Sequence, residues 1–379
     1  LSRRPKVHYI FFFYFLLCLS SHHSAPHFIM FVCRPSLMTT SAILGIGGSL
    51  LWPAKCTYLT ISGNRRGQKI NKKSQDIISQ YFGIFFFIFQ SSAVWGNLMS
   101  SLIFGQDSSI EVPEENLQFC GATSCVENFT VYHSNDSAIY NSFRKNTNLV
   151  LEVLAIIFVA VFLDNIEPRS GHRNFVKTKG NQSFCSTFLA TFKLLRNPRF
   201  GFEQSFLAGE YTKNYVTCAI GIHYVGFVMI CFGASNSLCS FAFGRLAQYT
   251  GRLALFCLAA VTNLGCFLGL LYWKPHPDQL GMFFVFPALW GMADAVWQTQ
   301  TNALYGILFA KDKEAAFANY RIWESLGFAI AFAYSTFLCL STKIYVALSV
   351  LALTVVTYLY AEYNEYKHPT PQVTNDDLL

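Results

Sequence analysis

Blocks of about twenty mostly apolar residues recur along this chain, and no other feature restricts its folding as much. Such blocks fall at 37–61, 81–104, 149–163, 219–243, 253–273, 280–308, 322–340 and 344–360. They are too long for strands and too apolar on every side for helices that keep one face in water. Composition agrees: only 13% of the 379 residues are charged and 53% are hydrophobic, whereas soluble domains carry about 25% charged residues. The expected class is all-α, a polytopic helical membrane protein whose first partner is the lipid bilayer. The third block is short and carries Glu152 near its start, so its helix starts earlier or lies tilted at the interface.

Basic residues stay on the cytoplasmic side, so the loops set the orientation. The 62–80 segment carries Arg65, Arg66, Lys69, Lys72 and Lys73 against Asp76, and 164–199 is comparably basic, so both are expected inside. The 106–148 segment holds six carboxylates against Arg144 and Lys145, so it is expected outside. The net charge of +7 is thus a bias of cytoplasmic loops; no basic groove interleaved with aromatic residues points to a nucleic-acid partner. Asn128 and Asn135 stand in glycosylation sequons within the outside segment, whereas the sequon at Asn181 falls inside and is expected to stay unmodified. Cys120 and Cys125 are the only two of 12 cysteines in that segment. They are either bridged to each other or free, and the other ten read as small packing residues.

Parity leaves one gap. Both 164–199 and the basic turn at 245–252 read as cytoplasmic, so two crossings lie between them, and one must come from 200–218. That stretch contains Glu203, Gln204, Glu210, Lys213 and Asn214. Each charge costs about 2.5–3.5 kcal/mol at a helix centre, so the segment is either a broken helix buried against partners or one lacking residues. The N-terminal apolar run, 7–19, resembles a signal h-region without a cleavage site. The nearby His22, His23 and His27 lack the further ligands a metal site needs.

Several stretches carry a resemblance: WPAKCTYLTISGN (52–64), SQYFGIFFFIFQSSAVWGNLMSSLIFGQ (79–106), EYTKNYVTCAIGI (210–222), ADAVWQTQTNALYG (293–306) and KEAAFANYRIWESLGFAIAF (313–332). Together they resemble the unc-93 family over roughly 39–360. The resemblance implies a major-facilitator-type fold of two helical bundles, with the N-terminal bundle incomplete in this chain. The implied parts are an atypical 1–36, the rest of the N-terminal bundle at 37–163, a central cytoplasmic loop at 164–199, a C-terminal bundle at 200–360 and a cytoplasmic tail at 361–379. Within GRLAQYTGR, residues Gly244, Arg245, Gly251 and Arg252 resemble the short basic loop of major facilitators, with Gln248 where an Asp is usual. The two arginines are expected to hold helix ends there, or simply to be solvated at an ordinary turn.

Polar groups inside spans are expensive and so are candidates for function. Pro287, Gly291, Asp294, Gln298 and Thr301 share one helical stripe, which suits either a central cavity or hydrogen bonds between helices. Arg321 and Glu324 are spaced for an i,i+3 ion pair or for solvated charges at the membrane edge. Small residues at Gly327 and Ala331, and at Ser41, Gly45 and Ser49, permit close helix packing. No nucleophile elbow, P-loop, H-E-x-x-H or paired Cys-x-x-Cys occurs, so neither catalysis nor a cofactor is expected. The family resemblance implies a non-enzymatic protein of the plasma membrane, or alternatively an endomembrane, that regulates an ion channel or escorts a receptor. The competing reading is a secondary transporter of a small solute, proton-coupled through Asp294 or a neighbour.

Overall fold

The computed structural model describes residues 29–104, 117, 120–125, 205–309, 313–335 and 337–367. All regular structure among them is helical. The long elements are α1 (Ile29–Lys69), α2 (Ser74–Phe104), α3 (His223–Tyr272), α4 (Leu280–Leu308), α5 (Lys313–Ser335) and α6 (Leu340–Lys367), with a π-helical segment, Phe206–Thr217, ahead of α3. The span expected at 149–163 and the asparagines Asn128, Asn135 and Asn181 lie outside the described residues. The chain divides into two compact units. The first comprises Leu1–Lys55, Tyr132–Phe184 and Asn375–Leu379; its described part is the N-terminal portion of α1, where the Lys55 ammonium lies over the Trp52 ring. Everything below concerns the second unit, Cys56–Val131 with Cys185–Thr374.

Among the described residues, four helical stretches are long and apolar enough to cross a bilayer: Ser74–Leu98, His223–Tyr272, Pro277–Leu308 and Leu340–Lys367. The second is long enough to do so twice. Its 50 residues include Gly251 at φ 74, ψ 159, a backbone conformation that glycine adopts without the clash of a Cβ. Val228 and Phe232 from before this break share one core cluster with Cys266, Phe267 and Leu270 from after it. A straight helix would separate Val228 from Phe267 by roughly 58 Å at 1.5 Å per residue, so the chain must fold back at Gly251. Large apolar side chains such as Ile88, Leu238, Val261 and Val356 point outward, which suits hydrocarbon as the solvent.

The ends of several helices differ from the sequence expectation. The expected loop at 62–80 shrinks to a turn at 70–73, because α1 continues to Lys69 and α2 begins at Ser74. Arg66 and Lys69 lie in the last turn of α1, where basic side chains suit the negative end of the helix dipole. The span expected at 322–340 is displaced toward the N-terminus, as α5 runs Lys313–Ser335. Its first turns carry polar residues but bury Phe317 and Tyr320.

Two local devices hold the bundle together. Pro287 sits inside α4, so the Phe283 carbonyl one turn earlier loses its intrahelical donor. The Tyr211 hydroxyl of the π-helical segment donates to that carbonyl at 2.9 Å. Close backbone approach is the second device: a Cβ on Gly83 of α2 would stand 2.7 Å from the Ser240 carbonyl oxygen and 2.8 Å from the Gly244 Cα of α3. Around these contacts an aromatic core forms, with Phe206 stacked on Trp290 and Tyr215 stacked on Trp273.

Candidate functional site

Two buried polar clusters stand out, one centred on Asp294 and one on Glu210. Gly291 of α4 makes the first possible. A Cβ there would fall 2.5 Å from the Phe232 carbonyl oxygen and 3.0 Å from the Asn236 nitrogen, so only glycine lets α3 pack this closely. Asn236 consequently reaches across, and its Nδ2 donates to Asp294 Oδ2 at 2.6 Å. Gln298, one turn further along α4, donates to the same oxygen at 2.6 Å. Gln90 Nε2 of α2 donates in turn to Gln298 Oε1 at 3.1 Å, and Ser240 donates to Asn236 Oδ1 at 3.2 Å. The chain of donors converges on a carboxylate that accepts and cannot donate while ionised. It links three helices in a dry interior, since Asp294 and Gln298 are 5% and 6% exposed. Asn302 continues the seam: it donates to the Gln298 carbonyl at 2.7 Å and accepts from Cys56 Sγ of α1 at 3.5 Å. Thr301, the last residue of the expected stripe, is half-buried, and no hydrogen bond joins it to this network among the described residues.

The second cluster lies in the segment that parity marked as too polar to cross unaided. Phe206–Thr217 is helical and largely buried, with Ala208 and Lys213 exposed; it is wound as a π-helix and followed by a single α-turn that stops at Gly221, φ +92. Its Glu210 meets Lys343 of α6, with Nζ to Oε2 at 2.8 Å. Asn214 donates to the same oxygen at 2.9 Å, and Ser335 donates to Oε1 at 2.7 Å. Lys343 also donates to the Ser335 carbonyl at 2.7 Å. Removing two charges from water is repaid only where such extra hydrogen bonds complete the pair. Asn214 Oδ1 accepts from Ser124 Oγ at 3.0 Å, and the Ser124 carbonyl accepts from the Leu340 amide at 2.9 Å.

The cysteines correct an expectation. Cys120 and Cys125 are both oxidised, but not to each other: Cys120 pairs with Cys218 and Cys125 with Cys339. The physical reason is the turn between them. Gly121–Thr123 forms a 3-10 turn with Gly121 at φ +81, which lays the segment across the ends of two other elements. Cys218 and Cys339, read from sequence as packing residues, are the partners. The signal available in the sequence was their position at the ends of apolar blocks.

At the Gly251 break, Arg252 holds Glu362 of α6 through two hydrogen bonds, Nε to Oε1 at 2.6 Å and Nη2 to Oε2 at 2.9 Å. Tyr358 donates to the same carboxylate. Arg245 instead lies over the Phe241 ring, 4.4 Å from its centroid. Gln80 of α2 donates to Gln248 at 3.2 Å, and Gly244 forms the close contact with Gly83 described above. Arg321 and Glu324 do pair, on α5, and both are largely buried rather than solvated, with Arg321 also near the Tyr320 ring.

The Danio rerio protein unc-93 homolog A is 75% identical over 362 residues, covering 90% of this chain and 76% of that protein. The chain belongs to the UNC-93 family. The human member of that name is 51% identical over 349 residues, covering 88% of this chain and 76% of that protein. The Caenorhabditis elegans putative potassium channel regulatory protein unc-93 is 34% identical over 329 residues, covering 81% of this chain and 46% of that protein. A family model described as ion channel regulatory protein UNC-93 matches residues 276–359, which include Asp294, Gln298, Arg321, Glu324 and Lys343. The family is thus described as regulatory rather than catalytic.

Proposed function

We propose that this chain is a non-enzymatic, multi-pass membrane protein that regulates or escorts another membrane protein, an ion channel first and a receptor second. The observation that carries the reading is similarity, over 81% of this chain, to a putative potassium channel regulatory protein. The interior supports it, because the Asp294 and Glu210 clusters spend their hydrogen bonds on neighbouring helices and so suit a body held in one shape. We read the fold as the major-facilitator type, with the plasma membrane as the site of action and 106–148 as a glycosylated outside loop. Two disulfides at one end of the unit support that orientation, since such bridges persist on the oxidising side of a membrane.

The test is co-expression with a potassium channel under voltage clamp, together with co-purification in detergent. Altered current at unchanged channel surface level identifies a regulator, and altered surface level identifies an escort. No change in either, with no co-purification, refutes both. A secondary transporter remains the second reading, favoured by the buried Asp294 carboxylate amid polar residues of three helices. Saturable solute uptake into proteoliposomes that disappears in Asp294→Asn would establish it instead.

A further inference from the structure

The short segment between the two bridges does more than tie the chain down. Cys120 is anchored at Cys218, at the end of the π-helical segment, and Cys125 at Cys339, one residue before α6 begins. Only Gly121, Ala122, Thr123 and Ser124 lie between these anchors. Four residues span at most about 18 Å between flanking Cα atoms even when extended, so the two helix ends cannot move far apart while both bridges are intact. Lys343 lies in the first turn of α6 beside the second anchor, and Glu210 lies eight residues before Cys218 on the segment held by the first. Ser124 lies against the same cluster, with its hydroxyl on Asn214 and its carbonyl on the Leu340 amide.

We propose that residues 120–125 form a disulfide-fastened strap that keeps the Glu210–Lys343 pair dry, and that opening the Cys125–Cys339 bridge unfastens it. The bridges differ in the way this requires. Cys120 and Cys218 are 4% and 8% exposed, whereas Cys125 and Cys339 are both partly exposed. A small thiol therefore meets the second bridge first. Its thiolate attacks one sulfur and forms a mixed disulfide, and a second thiol displaces it. The reductant leaves as its own disulfide, while its two electrons and two protons end on Cys125 and Cys339 as thiols. Of the two bridges only Cys120–Cys218 then fastens the strap, Ser124 leaves Asn214, and water reaches Glu210 and Lys343. A charge pair that enters a high dielectric loses most of its attraction, so the contact between the π-helical segment and α6 loosens. The device is independent of which membrane protein this chain serves.

The experiment uses the full chain in intact cells. Ser335→Cys places a near-isosteric thiol beside Glu210, and its reaction with a membrane-impermeant maleimide is followed by mass spectrometry of the peptide carrying position 335. Labelling is expected to be slow with both bridges intact, and about tenfold or more faster once local opening is permitted by Cys125→Ser with Cys339→Ser. A second measurement avoids the multiple variant: brief treatment of the Ser335→Cys protein with an impermeant phosphine reductant should give the same acceleration. Peptide mapping under non-reducing conditions should find Cys125 joined to Cys339. Equal labelling rates before and after either treatment, or a Cys120–Cys125 bridge in the map, would overturn the proposal.

Discussion

Replacing Lys343 by Met isolates the worth of the charge pair. The substitution conserves most of the side-chain length and leaves Glu210 with its bonds from Asn214 and Ser335 but with no ammonium. Both side chains are nearly sealed, at 4% exposure for Lys343 and 8% for Glu210, so solvent screening offers little relief. Removing one partner of a buried pair costs about 3–5 kcal/mol. At about 2–4 °C per kcal/mol, the scale for domains of up to about 250 residues and so an upper guide for this slightly larger unit, the melting temperature should fall by ~6–20 °C. Glu210→Gln combined with Lys343→Met removes the orphaned charge and should recover more than half of that loss, because neutral replacements of buried pairs are often near neutral overall. Detergent-solubilised protein heated for a fixed time and scored by the monodisperse fraction on gel filtration gives the comparison, with equal times because such unfolding is irreversible. If Lys343→Met and the double variant lose the same amount, the pair carries no coupling and the reasoning fails.

Gly83→Val would force a side chain against the Ser240 carbonyl and the Gly244 backbone, and should cost about 1–3 kcal/mol, whereas Gly96→Ala, with nothing within 4 Å of its Cβ, should leave the same melting curve unchanged or raise it. Arg252→Ala removes both bonds to Glu362 and should lower stability by about 1.5–3 kcal/mol. Arg252→Lys should fall between, since an ammonium cannot reproduce the fork. Asn128→Gln with Asn135→Gln should abolish the gel shift that glycosidase produces, and Asn181→Gln should leave it intact; a shift that survives the first pair would place the sugar elsewhere.

Where a span is bounded by abrupt changes of polarity, the sequence is a good guide. The 280–308 block coincides with α4, whose ends are marked by polar and turn residues although Asp294 and 298–302 interrupt its apolar character, and 344–360, a largely apolar run, lies within α6. The helix ends at 62–80 and 313–321 were harder, since residues such as Arg65, Lys69 and Glu314 prolong a helix as well as they end a membrane span. At the Asp294 cluster the stripe on α4 was visible from its spacing, while Asn236 and Gln90 were not, because nothing local marks which face of α2 or α3 meets it. Glu210 was conspicuous as an expensive charge. Its partner was invisible for a different reason: Lys343 sits in the first turn of α6, where a lysine ordinarily reads as a charge at the membrane edge. The disulfide pairing required knowing which helix ends adjoin, and sequence separations of 98 and 214 give no hint of that.

The ion pair also sets a problem of timing. Glu210 precedes Lys343 by 133 positions, and at ribosomal speeds of about 5–20 residues per second its counter-charge is made some ~7–27 s later. Asp294 faces no such wait, since Gln90 and Asn236 are already synthesised when it emerges. The nascent π-helical segment must therefore linger beside the insertion machinery until α6 arrives to claim it.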